Sequence, residues 1–232
     1  MQAVILAAGK GTRMGHLTKD IPKPLIKLGG KNLIEHKIDR LPKEVDEVVL
    51  IVHYMKEKIM EYFGDSYKGK KIIYVDQGEA LGTAHALWQA KDVLKGEFLS
   101  MMGDDLYSRK LLSDVIKNDW AMHVIKTRSF ATTGDVQIDA KGYFKDVVFD
   151  DMGKRNDDIL LATALFKLKK EIFNAPLIRV GGSKEFGLPH TVFQFVKDTK
   201  IKMKVLESKG WLKINTPEDV VAAVKAILGG VI

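Results

Sequence analysis

A glycine-rich turn, two basic residues near it and a pair of adjacent carboxylates carry most of the chemistry this chain can do. The turn is Leu6-Ala7-Ala8-Gly9-Lys10-Gly11-Thr12-Arg13-Met14. Its successive backbone N–H groups can form an anion-binding nest, and glycine lets a phosphate approach closely. Arg13 lies within the turn and Lys23 stands between Pro22 and Pro24, so phosphate binding is the favoured reading. It is not a P-loop, because G-x-x-x-x-G-K-[ST] is absent. It is not the dinucleotide fingerprint either: Met14 stands at the third glycine position, and Val52 and His53 stand where an acidic ribose ligand belongs. Gly103-Asp104-Asp105 ends an apolar run, which puts carboxylates at a strand's C-terminal edge, where open α/β sheets bind ligands. The chain has no cysteine, so thiolate metal sites, disulfides and cysteine nucleophiles are excluded. No His–acid or Ser/His arrangement presents a general base.

These residues need a scaffold, and the first half of the chain supplies an alternating one. Apolar strands are expected at 3–8, 47–52, 71–75 and 98–102, and helices at 32–41, 56–63 and 83–94. Continuous apolar runs separated by helices indicate parallel strands covered on both faces. The fold class is therefore α/β: a Rossmann-like, mixed and mostly parallel sheet flanked by helices, with a smaller β-rich extension. The extension begins after a helix at 109–117, with strands at 122–126, 136–138, 144–148 and 159–166 and turns at Lys141-Gly142 and around Gly153. A helix at 188–197, a strand at 202–206 and a closing helix at 217–228 follow. Thr216 is a good N-cap for that helix, with Pro217 at its first position and Glu218 and Asp219 on its dipole.

One domain of 232 residues is expected, divided into halves at 1–105 and 106–210 and a closing segment at 211–232. No apolar run approaches the roughly 18 residues needed to span a bilayer. Gln2 rules out myristoylation, and no signal peptide or lipidation box is present, so a cytoplasmic protein without a membrane partner is expected. The net charge of +7 comes from lysines spread along the chain and interleaved with acids. No nucleic-acid signature accompanies them, and a solvated lysine-rich surface is the expected arrangement.

The turn, followed by Thr18-Lys19-Asp20-Ile21-Pro22-Lys23-Pro24-Leu25 and Gly29-Gly30-Lys31-Asn32-Leu33-Ile34-Glu35-His36, resembles the N-terminal signature of the sugar-phosphate nucleotidyltransferases. Gln77-Gly78-Glu79-Ala80-Leu81-Gly82-Thr83-Ala84-His85-Ala86 resembles the same family's base-binding segment, most closely in N-acetylglucosamine-1-phosphate uridylyltransferases. The resemblance implies an enzyme that joins a nucleoside triphosphate to a sugar-1-phosphate and releases pyrophosphate. It implies that Leu6, Ala8, Gly9, Gly11, Thr12 and Arg13 bind the triphosphate, with Arg13 and Lys23 at the reacting centre. It implies that Gln77 bonds a pyrimidine while Gly82 and Thr83 sit against the nucleoside. An amide carries both donor and acceptor, so uracil, thymine or cytosine is compatible, with UTP favoured. It implies that Asp104 binds Mg²⁺, with Asp105 either supporting it or simply solvated. Trp211-Leu212-Lys213-Ile214-Asn215-Thr216-Pro217-Glu218-Asp219 resembles the family's late motif, in which Asn215 matches a second metal ligand, while Glu185 matches an acceptor-binding acid. The resemblance makes 1–105 the nucleotide-binding half and 106–210 the acceptor-binding half.

Two departures bear on the acceptor. Lys213 stands where an Asp is often found, and resembles a phosphate-contacting lysine of methylerythritol phosphate cytidylyltransferases. Ala162-Thr163-Ala164 replaces the common Asn-Thr-Gly in a central strand. A cytidylyltransferase acting on inositol phosphate or phosphocholine therefore stays open, as does a catalytically silent sugar-nucleotide sensor. Association of identical copies is left open. No hexapeptide-repeat domain follows the closing helix, so a second, acetyltransferase activity is not expected.

Overall fold

The computed structural model describes residues 1–128, 134–149, 158–230 and 232; the turn expected around Gly153 lies outside them. The chain forms two compact units, Met1–Glu79 with Met101–Asp114 and Gly210–Ile232, and Ala80–Ser100 with Val115–Lys209. Each unit holds a run of strands in mixed orientation.

In the first unit the strands run in the order β1 (Gln2–Leu6), β4 (Glu47–Val52), β6 (Lys70–Asp76) and β5 (Ser66–Tyr67). β1, β4 and β6 are parallel, and β5 returns antiparallel to β6. Every residue of β1 is buried, as a strand covered on both faces requires. A short hairpin, β2 (Lys27–Leu28) and β3 (Lys31–Asn32), leads into helix α1 (Leu33–Ile38). A capping box starts α1: the Asn32 side chain accepts from Glu35 N at 2.9 Å and Glu35 Oε2 accepts from Asn32 N at 2.7 Å. Helix α2 (Lys56–Phe63) connects β4 to β5. Two strands that periodicity did not disclose, β8 (Asp105–Tyr107) and β14 (Trp211–Lys213), pair antiparallel, three residues being too few to show an alternation. The closing helix α6 (Pro217–Leu228) has the expected Thr216 cap, completed by Asp219, whose carboxylate accepts from Thr216 N at 2.9 Å and Asn215 N at 2.7 Å. Met14, Leu33, Leu106, Ile214 and Ala223 share one apolar cluster, which ties the glycine turn, α1, β8 and α6 together.

In the second unit the strand order is β13 (Lys204–Glu207), β9 (Ala121–Thr127), β12 (Ile159–Lys169), β7 (Glu97–Met102). β13 and β9 are parallel, and β12 is antiparallel to both neighbours. The hairpin β10 (Asp135–Ile138) and β11 (Phe144–Val148) forms part of the β-rich extension. Helix α3 (Thr83–Trp88) is shorter than the expected 83–94, because the chain beyond it turns with i→i+3 bonds, Ala90 N to Leu87 O at 3.0 Å and Lys91 N to Trp88 O at 3.2 Å. Helix α5 (Leu188–Thr199) runs two residues past its expected end. The lysines are not all solvated either. Lys23, Lys37 and Lys167 are buried, and Lys167 pairs with Glu97 at 2.9 Å.

β12 carries a bulge between Ala162 and Phe166, where Ala164 holds a left-handed φ of 59°. Beside it the fully buried His123 lies 2.9 Å from Thr163 Oγ1 and 3.1 Å from Ser208 O. Burial lowers the His123 pKa to about 4. The native imidazole is therefore neutral, while the unfolded chain takes up a proton below about pH 6.5. Stability is full above that value and falls as pH drops from about 6.5 toward 4, by roughly 2 kcal/mol between pH 7 and 5. Urea unfolding at those two pH values should show this loss, and His123→Gln should reduce it. An unchanged pH dependence in the variant would count against His123 as its source.

Candidate active site

The first unit holds a cavity of about 200 Å³ at the C-terminal end of β1, lined by Leu6, Ala7, Gly9, Gly11, Thr12, Arg13, Lys23, Pro24, Gly103, Asp104 and Asn215. Eight of the residues singled out in the sequence for nucleotide, phosphate or metal thus meet here. Gly11 begins a 3-10 turn (Thr12–Thr18) with φ at 67°, and Met14 N bonds back to its carbonyl at 2.9 Å. Lys23 begins a second 3-10 turn (Lys23–Leu25) after Pro22. It is 7% exposed, and its stem packs against Gly11.

A Cβ at Gly11 would lie 2.8 Å from Lys23 Cβ, on top of the backbone strain of its φ. A Cβ at Gly9 would meet nothing within 4 Å. Gly11→Ala should therefore lower stability by about 2 kcal/mol, and Gly9→Ala by no more than ~0.5 kcal/mol. Equal denaturation midpoints would contradict this packing.

The polar groups converge. Lys23 Nζ donates to Asp104 Oδ2 at 2.8 Å and to Asn215 Oδ1 at 3.1 Å. Arg13 donates to the same Asn215 oxygen at 3.2 Å. Two cations and two oxygen donors thus share one corner of the cavity. Asn215 is held there by the cap of α6, through its N–H to Asp219. Asp104 is held by its carbonyl, which accepts from Ile214 N at 2.9 Å. Gly103 donates from its N–H to Leu6 O at 2.9 Å, and a Cβ there would sit 2.4 Å from that oxygen, so only glycine fits.

Asp105 is not solvated. It is 2% exposed, and its Oδ2 accepts from Trp211 Nε1 at 2.8 Å and Tyr107 OH at 3.2 Å. Burial, then the neighbouring Asp104, raises its pKa. Lys213 pairs with Asp105 across β8 and β14 but is exposed and does not line the cavity. Ala8 is buried just behind the lining residues. Gln77 follows β6, its N–H on Val52 O at 2.9 Å, and is not among the lining residues. Gly82, Thr83 and Glu185 belong to the second unit, where they come together: Phe186 N donates to Leu81 O at 2.7 Å, Ala84 N to Phe186 O at 3.0 Å and Leu188 N to Thr83 Oγ1 at 2.9 Å.

Sequence reasoning passed over Lys37, Tyr107 and Trp211 as supports of this cavity. Lys37 left a signal, a lysine between Ile34, Ile38 and Leu41 on the apolar stripe of α1. Trp211 stood out only as the start of the late motif, and Tyr107 left no signal, because the bonds of both to Asp105 appear only once the chain has folded.

A family model described as nucleotidyl transferase matches residues 2–145. Over its full length the chain is 32% identical to the bifunctional protein GlmU of Methanococcus maripaludis, covering 56% of that protein. It is 30% identical to the UTP–glucose-1-phosphate uridylyltransferase AglF of Haloferax volcanii, with 94% of this chain and 93% of that protein covered. A solved UDP-glucose pyrophosphorylase from Acinetobacter baumanii shares the fold, with a TM-score of 0.78 at 17% identity over 97% of this chain and 92% of the other. The chain spans about half the length of the GlmU relatives it matches.

Proposed function

The chain belongs to the nucleotidyl transferase family, and we propose that it transfers a nucleotidyl group from a nucleoside triphosphate to a sugar-1-phosphate, forming an NDP-sugar and pyrophosphate. The convergence of Lys23, Arg13, Asp104 and Asn215 on one corner of the glycine-lined cavity carries this reading. A sugar-1-phosphate is largely dianionic at neutral pH, since its second pKa lies near ~6. Its oxygen attacks the α-phosphorus, the bond to the bridging oxygen of the β-phosphate breaks, and that oxygen leaves with pyrophosphate. No proton need be removed, so no general base is required.

The protein's task is to hold two polyanions together and neutralise the charge between them. The N–H groups of the 9–12 turn cradle the triphosphate, and Arg13 and Lys23 face its oxygens. Lys23 exchanges its bond to Asp104 for one to phosphate. Mg²⁺ fits the remaining donors. Asp104 and Asn215 offer hard oxygens that already converge on one positive charge, the Lys23 ammonium, and this ion completes its shell with water and phosphate. When bound it supplies charge neutralisation at the phosphate oxygens. UTP is the proposed donor, from Gln77 and the Leu81–Ala86 segment, with glucose-1-phosphate and N-acetylglucosamine-1-phosphate the acceptors to try first.

The purified protein should release pyrophosphate from UTP in the presence of a sugar-1-phosphate. Assay of the four triphosphates against sugar-1-phosphates, inositol phosphate and phosphocholine tests each part of the reading. Preference for ATP or GTP would remove the pyrimidine assignment, turnover only with phosphocholine or inositol phosphate would remove the sugar, and nucleotide binding without any turnover would favour a sensor.

A further inference from the structure

Lys37 is 1% exposed in helix α1, and the transfer chemistry makes no use of it. Its ammonium donates to Gly103 O at 2.8 Å and to Leu33 O at 3.3 Å. Burying an ammonium is costly unless its partners repay it. What the ammonium gains here is the carbonyl of the residue directly before Asp104. That peptide is gripped on its other sides as well. Gly103 N is fixed on Leu6 O, Asp104 O takes the N–H of Ile214, and the Asp105 carboxylate holds Trp211 and Tyr107. The second Asp105 oxygen is buried with no hydrogen-bond partner. Such an arrangement is costly for stability and serves mainly to fix the Gly103–Asp105 segment.

We propose that Lys37 is a positioning residue for nucleotidyl transfer, its ammonium pinning the Gly103 carbonyl so that the Asp104 carboxylate is presented to the cavity. The proposal rests on the transferase reading of that cavity. The two hydrogen bonds of the ammonium go to Gly103 O and Leu33 O, neither in the phosphate-binding turn, while its charge also acts on Asp105, Asp104 and Lys23.

The test compares Lys37→Met, which keeps length and removes the donor, with Lys37→Gln, which keeps a neutral donor. The readouts are thermal midpoint, steady-state kinetics with saturating triphosphate, and hydrogen exchange at the Ile214 amide that bonds Asp104 O. Lys37→Met should fold with a somewhat lower melting temperature and lose about tenfold or more in kcat with little change in triphosphate KM. Ile214 exchange should rise by about tenfold, and Lys37→Gln should recover most of both losses. A folded Lys37→Met with wild-type kcat and wild-type exchange overturns the proposal. If Lys37→Met does not fold, a folded Lys37→Gln decides: near-wild-type kcat and exchange support it, and loss of kcat comparable to that expected of Met overturns it. If neither folds, Lys37 is a folding residue and the proposal is overturned. If wild type turns over none of the substrates, the transferase reading fails by itself, and Ile214 exchange alone reports whether Lys37 pins the segment.

Discussion

Asp104→Asn should lower turnover by at least ~10²-fold while leaving the protein folded, the largest loss expected of any single change in the cavity. The amide keeps the shape of the carboxylate, and the backbone carbonyl stays on Ile214 N, so the segment is not released. What disappears is the negative charge facing Lys23 at 2.8 Å, and with it the hard anionic donor proposed for Mg²⁺. Mn²⁺ affinity, measured by electron paramagnetic resonance of the free ion, should fall in parallel. Asp105→Asn is the control, and its expected effect differs in kind. The amide oxygen can take the place of the carboxylate oxygen that accepts from both Trp211 Nε1 and Tyr107 OH, but its NH2 then fills the buried position of the oxygen that has no hydrogen-bond partner. Unpairing a buried donor costs about 1–3 kcal/mol, so Asp105→Asn should lower the melting temperature more than Asp104→Asn does. If Asp105→Asn abolished Mn²⁺ binding while Asp104→Asn bound it normally, the ligand assignment would be reversed.

Lys23→Ala should reduce kcat/KM by about tenfold to a hundredfold, the size expected from losing one charged hydrogen bond of ~1.5–3 kcal/mol. Lys27→Ala, which removes an exposed lysine of equal charge four residues on, should cost far less. Lys23 is the buried one, and among the described residues its ammonium donates to Asp104 and Asn215. Loss of that ion pair leaves a partly buried carboxylate without its cation, so a modest fall in stability should accompany the kinetic loss. Lys23→Arg should not restore activity. A planar guanidinium does not reproduce a compact point charge, and the stem of residue 23 already lies against Gly11. Kinetics and denaturation measured on the three variants would show whether position or mere charge matters. Equal losses from Lys23→Ala and Lys27→Ala would falsify the site built on this turn.

What the sequence determined by itself was local. The buried strands β1 and β4, helices α2 and α6 with their bounds, the cap at Thr216 and the glycine turn all follow from the order of apolar, capping and turn residues within a few positions. The turn proposed to hold phosphate was legible for the same reason, since Gly9, Gly11, Thr12 and Arg13 lie side by side. Only the tertiary structure decided which distant groups meet. Arg13 and Asn215 are 202 positions apart, and Lys23 and Asp104 are 81 apart, yet each pair is within hydrogen-bond reach. It also decided burial. Lys23, Lys37 and Asp105 are charged residues in segments whose local pattern reads as turn, helix and strand edge, and only packing shuts them from water. Short-range periodicity encodes which face of an element is apolar. It does not encode which polar group the fold then drives beneath that face, because that depends on the elements laid over it from elsewhere in the chain.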